Sequence, residues 1–134
     1  MADRVLLPGD TQGTALVLDE PLSMWGGLDP HSGRIIDRRH PQVGETVTGT
    51  ILVMPTGRGS SSSASVIAEA IRLGTAPAAI VMVHPDDILL VGAVVAEELY
   101  GITCPVVVVD RIRFDEIATG DFLAVGPDGL EQNE

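Results

Sequence analysis

The chain has 134 residues, 45% hydrophobic and 20% charged, which is enough apolar material for one core and too much for a disordered chain. Its net charge is −11, its eight basic residues are all arginine and it contains no lysine, which argues against a nucleic-acid-binding surface. The single cysteine rules out an internal disulfide. Neither a leader-like start nor a bilayer-length apolar run is present, so a cytoplasmic protein without membrane partners is expected.

Aromatic residues make up only 3%, so Val, Ile, Leu and Ala must fill the core. Residues 14–18 are apolar and stop at Asp19-Glu20-Pro21, as a strand entering a loop does. Residues 23–49 are punctuated by Gly26, Gly27, Pro30, Gly33, Pro41 and Gly44 around the apolar pair Ile35-Ile36. This stretch reads as a long irregular connection, either functional or merely a crossing. Residues 46–54 carry β-branched Val47, Ile51 and Val53 and stop at Pro55, which predicts a strand. Over residues 62–73, Val66, Ile67, Ala70, Ile71 and Leu73 share one side of a helix, with Glu69 and Arg72 outward and Gly74 placed to end it.

Residues 78–83 are continuously apolar, the pattern of a strand covered on both faces. His84-Pro85-Asp86-Asp87 opens a second helix, whose buried stripe is expected at Ile88, Val91, Gly92, Val95 and Leu99, with Gly101 closing it. Residues 106–109 form another apolar strand, ended by Asp110, and residues 122–125 a last short one. Strands alternating with helices need crossovers and hence a parallel layer, while the N-terminal third adds β structure outside a plain doubly wound sheet. The expected fold is a single α/β domain over residues 1–134, a β/β/α arrangement with a central mixed, partly parallel sheet flanked by helices.

Gly57-Arg58-Gly59, followed by Ser60, Ser61, Ser62 and Ser63, lies between a predicted strand and a predicted helix. Such a junction points backbone N–H groups, a helix dipole and the Arg58 guanidinium at an anion. A flexible linker or a helix N-cap has the same composition. The segment lacks the spacing and lysine of a P-loop and the second glycine of a nucleophile elbow. His31, His40 and His84 lack metal-ligand spacing. His40 stands in Asp37-Arg38-Arg39-His40-Pro41, whose cations either serve a carboxylate or pair with local acids. Trp25 is expected to anchor its loop by packing, and Cys104 to be a buried small hydrophobe.

Three motifs taken together resemble the small, swivel-domain subunit of the aconitase X enzymes. They are Leu22-Ser23-Met24-Trp25-Gly26-Gly27-Leu28-Asp29-Pro30, then Gly33-Arg34-Ile35-Ile36-Asp37-Arg38-Arg39-His40-Pro41, then Gly57-Arg58-Gly59-Ser60. Ala76-Pro77-Ala78-Ala79-Ile80 and Asp86-Asp87-Ile88-Leu89-Leu90-Val91-Gly92 agree in order and spacing, so the resemblance spans most of the chain. It implies a swivelling β/β/α domain like the mobile domain of aconitase and isopropylmalate isomerase. It also implies a separate large subunit that carries an iron or iron-sulfur site, with the two chains forming a heterodimer and this chain binding no metal or cofactor itself.

By the same resemblance, Ser60 is the catalytic base of a dehydration, and Gly57, Arg58, Gly59 and Ser61 cradle the substrate carboxylate or the alkoxide. Gly26, Gly27, Asp29 and His40 complete the implied substrate-binding set. Common family forms place a cysteine or threonine and a glycine among the next residues. Ser61, Ser62 and Ser63 stand there instead, which leaves open which hydroxyl acts. The implied substrate is a small hydroxy acid, cis-3-hydroxy-L-proline first, since Gly57-Arg58-Gly59 and Glu97-Glu98-Leu99-Tyr100 resemble the bacterial form. Mevalonate 5-phosphate is the alternative, and a non-catalytic anion-binding or regulatory module is the alternative from another class.

Overall fold

The computed structural model describes residues 3–59 and 61–132. In chain order the elements are β1 (Arg4–Leu7), β2 (Thr11–Val17), α1 (Met24–Gly27), β3 (Leu28–Asp29), β4 (Arg34–Ile35), β5 (Ile51–Met54) and α2 (Ser63–Leu73). They continue with β6 (Ala79–Met82), α3 (Asp87–Tyr100), β7 (Val106–Val108), α4 (Arg111–Asp115), β8 (Phe122–Gly126) and β9 (Gly129–Gln132). One sheet has the strand order β1-β7-β6-β5-β2-β8-β9, and β3 and β4 form a separate hairpin. Strands β2, β5, β6 and β7 run parallel, whereas β1, β8 and β9 are antiparallel to their neighbours. Parallel neighbours need crossovers, and α2 and α3 supply two of them.

The continuous apolar runs are explained by burial on both faces of the parallel layer. Leu52, Met54, Ile80, Met82 and Val106 face a core shared with Ile67, Ile71, Leu89 and Ala93 of α2 and α3. Ile51, Val53, Ala79, Val81 and Val107 face a second core, filled by Phe114, Ile117, Leu123, Val125 and Leu130. The sheet wraps this second core itself. The first half of β2 pairs with β8 and the second half with β5, and Gly13 permits the transfer because a Cβ there would lie 2.7 Å from the Gly49 carbonyl oxygen. The outer strands β1 and β9 then come back together. Leu130 N donates to Asp3 Oδ2 at 2.8 Å, and Arg113 Nη1 pairs with both Asp3 carboxylate oxygens at 2.9 and 2.8 Å, while its Nη2 donates to the Leu130 carbonyl. The result is the expected β/β/α layering, with α2 and α3 on one side of the parallel strands and a curled sheet on the other.

Three expectations need correction. The strand over 46–54 shortens to Ile51–Met54, because Thr50 N and Oγ1 both bond the Val47 carbonyl (3.1 and 2.7 Å) and Gly49 turns left-handed at φ 71°. β1, α1, β3, β4, α4 and β9 were not read from the sequence, since each is short; β1 pairs with β7, about a hundred residues on, whereas β9 closes a hairpin with β8. In α3 the buried residues are Leu89, Gly92, Ala93 and Ala96, and of the expected stripe Val91, Val95 and Leu99 are 53%, 40% and 66% exposed. Close packing selects the small-residue face: a Cβ on Gly92 would lie 2.6 Å from the Ala64 carbonyl oxygen, so α2 and α3 touch backbone to backbone.

Candidate active site

Sites in parallel α/β sheets form at the carboxyl ends of the strands. At the end of β5 the chain turns through Pro55 into the glycine and serine loop, which is joined to the segment after β2. Leu22 and Gly57 form an isolated parallel bridge, and Arg58 N donates to the Leu22 carbonyl at 3.2 Å. Both glycines are required by close approach. Gly59 sits at φ 140°, and a Cβ there would strike Ser23 Oγ and lie 3.1 Å from Ser63 Oγ. A Cβ on Gly57 would strike the Asp86 carboxylate and lie 2.8 Å from Leu89 Cδ1. Asp86 Oδ1 meanwhile caps α3, accepting from Ile88 N at 2.9 Å and Leu89 N at 3.3 Å. The carboxylate therefore packs against the loop from the start of the next helix, a contact that no motif in the sequence announces.

Ser60, the expected base, lies outside the described residues. Ser62 occupies the N-cap position of α2, with its backbone already helical at φ −67° and ψ −16°. The first turn of α2 carries no acidic residue to oppose the positive end of its dipole. Ser61 is exposed and lines a cavity of about 220 Å³ with Ala64, Asp87, Ile88 and Val91.

Ser63 is buried, and its Oγ accepts from Trp25 N at 3.2 Å, while Ser23 Oγ donates to the Trp25 carbonyl at 3.1 Å. These bonds latch the Trp25 turn to the serine loop. Contrary to the expectation from the sequence, Trp25 does not anchor its loop by packing: its backbone is pinned and its side chain is 60% exposed. Next to it, Gly26 adopts φ 77°, with open space where a Cβ would stand. Gly27 is buried against Leu22, whose Cδ1 would lie 3.1 Å from an added Cβ.

Arg58 is exposed and its Nη2 donates to the Pro21 carbonyl at 3.0 Å. His40 is only 3% exposed, with Nε2 3.0 Å from the Glu20 carbonyl and Nδ1 accepting from Gln42 N at 3.0 Å. That pair of partners puts the proton of the neutral ring on Nε2. Asp29 accepts from His31 N at 3.0 Å and Ser32 Oγ at 2.9 Å, and these bonds, the His31 N–H foremost, hold its carboxyl below the ordinary value of 3.8. Of the expected site residues, Gly57, Arg58 and Gly59 thus come together with the segment 21–25. His40 reaches Glu20, just before that segment, from a second loop, and Asp29 bonds within its own turn.

Among the described residues, no group of three or more His, Cys, Asp or Glu side chains could hold a metal. Cys104 is buried, its Sγ donates to the Pro77 carbonyl at 3.5 Å, and burial pushes the thiol up to about 12, so it offers no thiolate. Among the same residues, no helix is long and apolar enough to cross a membrane.

A parallel layer with helices on one side, a curled sheet on the other and a glycine-serine loop at its carboxyl edge defines a β/β/α swivelling domain. The family model described as the aconitase X swivel domain matches residues 1–132. The chain belongs to the aconitase X swivel domain family. It is 44% identical over 128 residues to a cis-3-hydroxy-L-proline dehydratase of Pseudomonas aeruginosa, covering 96% of this chain and 22% of that protein. It is 38% identical over 130 residues to a phosphomevalonate dehydratase small subunit of Thermococcus sibiricus, covering 97% of this chain and 94% of that one. The structure of Thermococcus kodakaraensis aconitase X in its holo-form matches it with a TM-score of 0.88 at 28% identity, covering 99% of this chain and 97% of that chain. The chain spans about a fifth of the length of the hydroxyproline dehydratases it matches, 22% and 20%.

Proposed function

We propose that this chain is the small subunit of a hydro-lyase that dehydrates a small hydroxy acid, with its active site shared with an aconitase X large subunit. The observation that carries this reading is the fit of Gly57 and Gly59 against Asp86, Ser23 and Ser63 at the carboxyl edge of the parallel strands. A loop held that tightly presents its backbone and Arg58 in a fixed geometry, the requirement for stabilising charge that develops during a reaction.

In this proposal Ser60, as an alkoxide, takes the proton from the carbon adjacent to the hydroxyl-bearing one. The C–H electron pair becomes the new C=C bond, the C–O bond breaks, and the hydroxide leaves as water after gaining a proton. The Arg58 guanidinium and the amides of the serine run stabilise the alkoxide, and the exposed Trp25-Gly26 turn borders the substrate, with Gly27 buried beneath it and Asp29 and His40 on the loop behind. The iron or iron-sulfur group belongs to the large subunit in this reading. In the same reading this chain contributes the serine loop.

cis-3-Hydroxy-L-proline is the proposed substrate, supported by the 44% identity to the Pseudomonas aeruginosa enzyme. Mevalonate 5-phosphate is the second reading. It is favoured by Arg34 and Arg38, two cations that outnumber the Asp29 carboxylate in an open groove beside Ile36 and Val43 and would suit a phosphate.

The test is to co-express the chain with the large subunit of the same organism and assay both compounds. The complex should dehydrate hydroxyproline, the isolated chain neither compound, and Ser60→Ala should lower kcat by about 10²- to 10⁴-fold. A fully active Ser60→Ala complex removes Ser60 from the mechanism, and turnover by the isolated chain removes the shared site.

A further inference from the structure

Helix α3 is apolar all round from Ile88 to Ala96, yet the fold covers only one side of it. Leu89, Gly92, Ala93 and Ala96 are buried against α2 and the sheet, while Val91, Val94, Val95 and Leu99 stand 53%, 39%, 40% and 66% exposed. A helix that is hydrophobic on every face normally has a second neighbour. The bare side runs from the cavity beside Ser61, along Val91, into a groove between α2 and α3 that includes Ala68, Gly92 and Val95. It therefore begins at the serine mouth and leads away from it.

We infer that this face of α3 is the surface on which the large subunit docks, an inference that rests on the two-chain reading above. Charge selects the occupant. The apolar strip is bracketed by Asp87 at one end and by Glu98 at the other, with Glu69, paired to Arg72, along its α2 side, on a chain whose net charge is −11. A second copy laid antiparallel on α3 would set Asp87 against Glu98, and a parallel copy would set each acid against itself, so self-pairing meets like charge in both orientations. A partner with an apolar ridge and basic residues at its ends meets complementary charge instead. The swivel unit of the Pseudomonas aeruginosa relative occupies 22% of a longer chain, so a body of larger size accompanies the unit there. A ridge of the large subunit seated on Val91 and Val95 would place that subunit's own groups over the adjoining serine loop.

The experiment is to measure binding of the purified large subunit to the wild-type chain and to the double variant Val91→Glu, Val95→Glu, with Ile112→Glu as the control. Val91 and Val95 are exposed, so the double variant keeps its core, and circular dichroism with a urea midpoint verifies its fold. Ile112 is 76% exposed on α4, against the other core. The double variant should bind about 100-fold more weakly or worse, while the control binds as wild type. Equal binding by the folded double variant overturns the docking face and leaves the two-chain reading intact. No complex with the wild-type chain overturns both. A homodimer of the isolated chain that the double variant abolishes assigns the face to a second copy and overturns the proposal.

Discussion

His40 and Arg58 grip consecutive carbonyls: His40 Nε2 holds that of Glu20 and Arg58 Nη2 holds that of Pro21, each at 3.0 Å. One residue comes from the glycine-rich connection and the other from the serine loop. Between them they fix the turn that leads from β2 into Ser23 and Trp25. His40 thus supports the site from behind whether or not it also meets substrate. Replacing the buried ring by His40→Ala removes an acceptor for Gln42 N and a partner for Glu20. The expected loss is about 1–3 kcal/mol in urea unfolding, together with faster amide exchange at Gln42.

Ser63 is the latch on the other side. In Ser63→Ala the Trp25 amide loses its acceptor, at an expected cost of about 1–2 kcal/mol. The Trp25 amide should exchange faster in this variant while the protein remains folded. Trp25 is the only tryptophan in the chain, so its fluorescence reports the turn without labelling. The isolated wild type should emit as an exposed indole, and assembly with the large subunit over the mouth should shift the emission to the blue.

The contact between Gly57 and Asp86 can be measured as a coupling. Gly57→Ala drives a methyl group into the carboxylate and should cost about 1–3 kcal/mol. Asp86→Ala removes the cap of α3 and should cost about 1 kcal/mol. In the double variant the added methyl meets no carboxylate, so the combined loss should fall short of the sum by about 0.5–2 kcal/mol. Strict additivity in chemical denaturation would show that the two residues do not touch.

Burial holds the Cys104 thiol protonated up to about 12, against an ordinary value of 9.0. Between those values the folded chain keeps a proton that the unfolded chain releases. The stabilisation from a neutral buried thiol is therefore complete below pH 9.0 and falls as pH rises toward 12. Urea midpoints taken on either side of pH 9.0 should diverge for the wild type and converge for Cys104→Ala. Alkylation of the native thiol should be slow and accelerate with urea, because the thiolate forms only on opening.

The parallel layer was legible in the sequence because its strands are unbroken apolar runs, and α2 because Gly74 and the Glu69 and Arg72 pair mark its end and its outer side. The buried side of α3 was not. Both of its sides are apolar, so periodicity supports either, and the choice was made by the backbone contact of Gly92 with Ala64, which belongs to the packed pair rather than to either helix. Trp25 was misread for a related reason. Its loop is held by hydroxyl-to-backbone bonds from Ser23 and Ser63, and nothing in a serine's letter says which amide it will meet. In the candidate site, the glycine spacing marked the loop that meets Ser23 and Ser63, whereas Asp86 was read only as part of the opening of α3, because its approach to Gly57 is made across space.

The Asp3 clamp has a consequence for how this unit is joined to others. Asp3 bonds Leu130 N and Arg113, so residues three and 130, at opposite ends of the described chain, share one corner. A short peptide could bridge that corner with little loss of loop-closure entropy, making the unit a natural candidate for circular permutation. New ends could then be opened at the exposed turn of Gly101 or Gly120, leaving the serine mouth, on another edge of the sheet, uncut. The same geometry lets the unit be carried at the head, at the tail or inside a longer polypeptide, with a tether that always departs from one place.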